Sequence, residues 1–156
     1  MQIEYIIILV TLLFSGFFSG MEIAFVSANK LKIFLDNEKG TLSNKIVSRF
    51  TENPSNFIVA MLIGNNIALV IYGIYMALLL DPIIQQHITN IDVFVLLIQV
   101  TISTFLVLLV AEFLPKVFFS VFPNKLLSFF AFPAIFIVAI LYPISLLING
   151  ISTFLI

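Results

Sequence analysis

The sequence predicts an all-α integral membrane fold: three transmembrane helices, with shorter amphipathic and belt helices lying beside the bilayer. Composition is the first reason, since 62% of the 156 residues are hydrophobic and only 10% are charged. A soluble domain carries about 25% charged residues. Distribution is the second: long apolar runs alternate with short polar stretches, at a mean hydropathy of +1.22. Acidic and basic groups nearly cancel, 8 against 7, which excludes an electrostatic nucleic-acid binder. The chain has no Cys, so disulfides, thiolate metal sites and thiol nucleophiles are excluded too. Its single histidine, His87, cannot build a histidine metal centre alone.

Residues 5–26 form the first apolar run, with Glu22 as its only charge. A spanning helix needs about 20 apolar residues. The start, MQIEY, has no basic segment, carries Glu4, and is followed by no small-residue cleavage site. The run is therefore an uncleaved span rather than a signal peptide. Residues 57–80 and 93–111 carry no charge and give the second and third spans. Five of the seven basic residues (Lys30, Lys32, Lys39, Lys45, Arg49) lie between the first two runs, and none lies between Asp81 and Asp92. Cytoplasmic loops collect Lys and Arg, which places 27–56 inside, and 81–92 and the N-terminus outside. Lys116 and Lys125, after the third span, agree with that orientation.

Within 27–56, Leu31, Phe34 and Leu35 recur at helical spacing beside lysines, and Ile46, Val47 and Phe50 repeat the pattern. Two short amphipathic helices at the inner interface are expected, separated by Gly40. Asn53-Pro54 ends the second, because the residue before Pro avoids helical backbone. The 31 residues from Leu126 to Ile156 carry no charge, but Pro133 and Pro143 divide them and Asn149-Gly150 marks a break. This run either crosses the bilayer, as hydropathy favours, or lies as a kinked belt along the inner leaflet. A single domain over 1–156 is the economical organisation.

Polar groups inside spans are costly, which makes each a functional candidate. Thr11, Ser15, Ser19 and Glu22 share one face of the first span, with Gly16 and Gly20 beside them. Gly and Ser also line ordinary helix contacts, so a packing seam is the alternative. The second span carries Gly64-Asn65-Asn66. Adjacent amides point about 100° apart on a helix, so both meet one neighbour only if the helix opens into a distorted polar pocket. In the third span, Pro115 removes the helical partner of the Ala111 carbonyl. Glu112 then stands beside a freed oxygen, a corner suited to a hard cation. The plainer alternative is an ion pair between Glu112 and Lys116, four residues on.

Depth unites these groups. From the rise of about 1.5 Å per residue, Ser15, Ser19, Asn65, Asn66 and Glu112 all fall in the inner half of the bilayer. One site explains that better than unrelated packing. Its donors are hydroxyls, amides, a carboxylate and a carbonyl, which select Mg²⁺, Ca²⁺ or Na⁺ over zinc or copper. A small six-oxygen cage favours Mg²⁺. With one carboxylate, binding is expected to be weak and releasable, as transport requires.

The strings SGFFSGMEIAFVSANKLKI (15–33), LIGNN (62–66) and AEFLPK (111–116) resemble the membrane domain of the CorC/CNNM family, over essentially the whole chain. The resemblance implies Mg²⁺ efflux, exchanged for Na⁺, by a homodimer of three-span protomers with a cytoplasmic belt of juxtamembrane helices. It therefore implies that 126–156 is mostly belt. Carried onto this sequence, the ion ligands would be Ser15, Ser19, Asn65 or Asn66, and Glu112, assisted by backbone carbonyls near Gly16 and Ala111. Ala111 stands where many relatives have Gly, a mild departure. Family members continue into paired cytoplasmic CBS domains that bind ATP; no nucleotide site is expected in these residues.

The leading expectation is thus a Mg²⁺ transporter of the cell inner or plasma membrane, in contact with lipid. The alternative class is a non-transporting anchor or regulatory scaffold of the haemolysin-like or gliding-motility type. A channel ranks third. An enzyme is not expected, since no Ser/His pair lies within the spans.

Overall fold

The computed structural model describes residues 2–38 and 40–155. Met1, Ile156 and Lys39, the last counted above among the basic loop residues, lie outside the described residues. The elements are α1 (Gln2–Ser27), α2 (Lys30–Glu38), α3 (Leu42–Glu52), α4 (Pro54–His87), α5 (Asp92–Leu106), a π-helical segment (Val107–Phe113), α6 (Leu114–Val121), α7 (Pro123–Phe129) and α8 (Ala131–Leu155). No strand occurs among the described residues.

Among the described residues, four helical stretches are long and apolar enough to cross a membrane: Ile3–Ser27, Pro54–His87, Asp92–Val121 and Ala131–Ile151. Their outer faces expose large apolar side chains such as Leu13, Val70, Phe105 and Phe136. In water such a surface would aggregate; in lipid it is solvated. The molecule is a multi-pass, all-helical membrane protein.

The α2–α3 pair forms as its sequence predicts. Asn29 caps α2 by accepting from the Lys32 N–H at 3.1 Å. Gly40, at φ +76°, takes the left-handed turn that a side chain would strain. Thr41 then caps α3, accepting from the Asn44 N–H at 3.3 Å. At Asn53 the backbone leaves the helical region (φ −130°, ψ 69°) and Pro54 opens α4 in its first turn.

Other boundaries move outward from the sequence reading. α4 continues past Asp81-Pro82 to His87, so the connection to α5 is residues 88–91 only. Its 34 residues measure about 51 Å, more than the roughly 30 Å of a hydrocarbon core. The third run does not stop at Pro115 but continues to Val121. A proline ring collides with the carbonyl four residues back, and here the preceding turn widens into π geometry, in which the Leu114 N–H reaches the Leu109 carbonyl. The fourth run begins in α7 and turns at Phe130, but from Ala131 it is a single helix through Pro143, Asn149 and Gly150, where breaks were expected. Asn149 holds its place by bonding Ser55 and Asn56 at the start of α4, with Ser55 Oγ donating at 2.8 Å.

α1 lies at the centre, packed against α4, the π segment, α6 and α7, while α8 lies along α4. A larger core joins Phe18, Met21 and Phe25 of α1 to Phe50, Phe57, Phe119 and Ala134. Its aromatic rings meet in steps, Phe25–Phe57 and Phe50–Phe57 at 4.6 Å and Phe119–Phe130 at 5.6 Å. A smaller core of Ile8, Tyr72, Met76, Val107 and Ala111 lies toward the other end of α1.

Candidate cation site

Between these two cores, α1 presents its polar face. Ser15 and Ser19 are each 1% exposed, one turn apart. Ser15 Oγ donates to Asn65 Oδ1 at 2.6 Å, joining α1 to α4. Ser19 Oγ has no hydrogen-bond partner among the described residues. A helical serine ordinarily bonds its own carbonyl four residues back, as Thr11 does here to Ile7 (2.8 Å) and Ile8 (3.0 Å). Thr11 is thus satisfied locally, whereas Ser19 is left open at a cost of about 1–3 kcal/mol.

The glycines explain how the third helix approaches. A Cβ on Gly16 would lie 3.0 Å from the Pro115 ring and 3.8 Å from the Ala111 carbonyl oxygen, and one on Gly20 would lie 2.5 Å from the Phe119 ring. Gly16/Gly20 and Pro115/Phe119 have the same spacing of four, so one ridge seats in the other's groove. This brings the buried Ala111 and its carbonyl against α1 at Gly16.

Glu112 is placed differently. Its side chain is 28% exposed and its Oε2 lies 3.6 Å from Lys116 Nζ, the ion pair weighed as the plainer alternative. Among the described residues no group of three or more His, Cys, Asp or Glu could hold a metal. The side chains brought together are Ser15 and Asn65; the Ala111 carbonyl meets α1 at Gly16, and Ser19 is one turn on from Ser15. Glu22 is half-buried a further turn along α1.

The expected opening of α4 at Gly64-Asn65-Asn66 does not occur: the helix stays regular. Gly64 serves Phe18 instead, whose ring would sit 2.5 Å from a Cβ there. Because the turn is regular, only Asn65 faces α1, and Asn66 is exposed. Two further features escaped sequence reasoning. One is the π segment beside the site, a geometry frequent at functional positions; Pro115 was its signal. The other is Tyr72, whose hydroxyl donates to the Ser103 carbonyl at 3.1 Å and ties α4 to α5 just before that segment. Nothing in the local pattern marks it.

A profile of the Cyclin M transmembrane N-terminal domain matches residues 6–156. The chain belongs to the CNNM family. That family is associated with Mg²⁺ transport across membranes. The chain is 30% identical over 145 residues to the UPF0053 inner membrane protein YfjD of Escherichia coli (strain K12), covering 90% of this chain and 31% of that one. It is 29% identical over 125 residues to the UPF0053 protein sll0260 of Synechocystis, covering 74% of this chain and 27% of that one. It thus spans under a third of the length of these CNNM-type relatives.

Proposed function

We propose that the chain is the membrane core of a Mg²⁺ transporter. Ser15, Ser19, Asn65 and Glu112 hold the ion between three helices, assisted by the backbone carbonyls of Gly16 and Ala111. The observation that carries this reading is the Ser19 hydroxyl, buried without a partner among the described residues, one turn from the Ser15–Asn65 pair. Mg²⁺ binds oxygen at about 2.0–2.1 Å, which sets adjacent octahedral ligands about 2.9 Å apart. Ser15 Oγ and Asn65 Oδ1, at 2.6 Å, need to separate by only a few tenths of an ångström. The Ser15 proton rotates away, and both oxygens turn to the ion. Glu112 exchanges Lys116 for the cation, so its carboxylate is never left without a counter-charge.

In this reading the protein is a homodimer of the inner or plasma membrane with its N-terminus outside, exporting Mg²⁺ against Na⁺ entry, and is followed by cytoplasmic CBS domains. Three helices span, and α8 lies as a belt. Support comes from both ends of α8: Phe130, just before it, packs on Phe17 and Phe119, and Asn149 bonds Ser55 and Asn56. Both contacts fall in the half of the spans nearer the basic loop.

The Glu112–Lys116 pair favours a second reading, a non-transporting scaffold in which these groups only pack. One experiment separates the two. In proteoliposomes, Glu112→Gln is expected to abolish Mg²⁺ flux while the protein remains folded and dimeric. Normal flux in that variant would falsify the transport site. Reversing an imposed Na⁺ gradient in the same vesicles tests the coupling, and an unchanged Mg²⁺ rate rejects it.

A further inference from the structure

α8 lies against α4 with an open groove on each flank, and the two grooves differ in chemistry. One, of about 370 Å³, is lined by apolar groups such as Phe14, Ile67, Ile71 and Ile140. The other, of about 450 Å³, lies between α3, α4 and α8. Its floor is Phe50 and Phe57, its far wall is Ile135 and Val138, and Arg49, Asn53, Asn56 and Tyr142 also line it. Arg49 is exposed and makes no ion pair or hydrogen bond among the described residues. Glu52, one turn further along α3, is not among the lining groups.

We propose that this cavity binds an anionic phospholipid, with its phosphate on Arg49 and the upper part of an acyl chain against Ile135 and Val138. Three observations select that occupant. The cavity falls within the range of about 300–1,000 Å³ of small-molecule sites, and it joins an apolar wall to one cation, the two-part chemistry of a phospholipid. It lies at the α3–α4 corner, where the apolar run of α4 begins, which is headgroup level for a spanning helix. The surrounding segment is the most basic of the chain, and basic juxtamembrane segments attract anionic lipid. The guanidinium meets a phosphate bidentately, and the amides and the tyrosine hydroxyl supply further donors. Asn56, which lines the cavity, also accepts from Asn149 of α8, so the lipid would wedge between α4 and α8 beside that bond. The proposal is independent of which ion the spans carry.

The test uses the full chain in nanodiscs of phosphatidylcholine with a minor fraction of phosphatidylglycerol, followed by native mass spectrometry of the lipid retained on release. One phosphatidylglycerol per chain is expected to remain in preference to phosphatidylcholine. Arg49→Gln should lower its retention about tenfold or more, the worth of a charge-assisted hydrogen bond. Val138→Trp, which fills the cavity and keeps every charge, should lower it similarly. Lys32→Gln, on α2 and away from the cavity, should leave it within about twofold. Equal losses from Arg49→Gln and Lys32→Gln would show diffuse attraction to the leaflet and overturn the site. So would unchanged retention in Arg49→Gln, or displacement by inorganic phosphate alone. Should Val138→Trp fail to fold, the contrast between Arg49→Gln and Lys32→Gln decides.

Discussion

The polar side chains of the α2–α3–α7–α8 region and those of the α1 face are treated in opposite ways. In the first region they bond one another reciprocally. Asn124 accepts from the Asn29 N–H and donates to the Asn29 carbonyl, both at 3.2 Å. Ser128 donates to Asn44 Oδ1 at 2.9 Å while its carbonyl accepts from Ser43, and Asn149 joins Ser55 to Asn56. These groups are glue, and each closes a contact between segments distant in sequence. On α1, by contrast, among the described residues Ser19 is sealed in with no partner and Ser15 has a single one. Hydrogen-bond satisfaction, more than residue type, separates the polar groups that hold the fold from the polar groups proposed as ligands.

Substitutions can break or sharpen that contrast. The largest effect on stability is expected at the tight contacts flanking the site. Gly64→Ala or Gly20→Ala forces a methyl group to within 2.5 Å of the Phe18 or Phe119 ring, and should cost about 1–3 kcal/mol in detergent unfolding. Next comes Ser19→Ala, expected to lower Mg²⁺ flux about tenfold, a loss of about 1.4 kcal/mol. It should leave stability unchanged or slightly raised, because an unsatisfied hydroxyl is removed. A clear loss of stability there would mean that Ser19 is structural and would erase the contrast. Asn149→Ala should do the reverse, costing about 1 kcal/mol of stability with flux within twofold. Smallest of all, Asn66→Ala should change neither flux nor stability measurably, since its side chain is exposed; a large flux defect would return Asn66 to the site.

Much of this was legible in the residues. Apolar runs of the right length gave the spanning helices, because a buried backbone in lipid must bond to itself. Gly40 and Asn53-Pro54 marked the boundaries of α2, α3 and α4 through backbone restrictions that act locally. The polar face of α1 followed from spacing alone. Less visible was the continuity of α8 through Pro143 and Gly150, since bonds from α4 hold Asn149 at a position where local preference points to a break. The π segment was hidden for a related reason: Pro115 requires some distortion, and the neighbouring contacts with Gly16 decide which one is accommodated.

The sequence by itself determined the class of molecule, the helices and the oxygen donors they carry, because hydropathy and helical period act over a few residues. Only the tertiary structure decided which donors meet. It set Asn65 rather than Asn66 against Ser15, left Ser19 open, and paired Glu112 with Lys116. The physical reason is that helix contacts are fixed by how ridges such as Gly16/Gly20 and Pro115/Phe119 interlock, and the sequence of one helix says nothing of its neighbour's rotation.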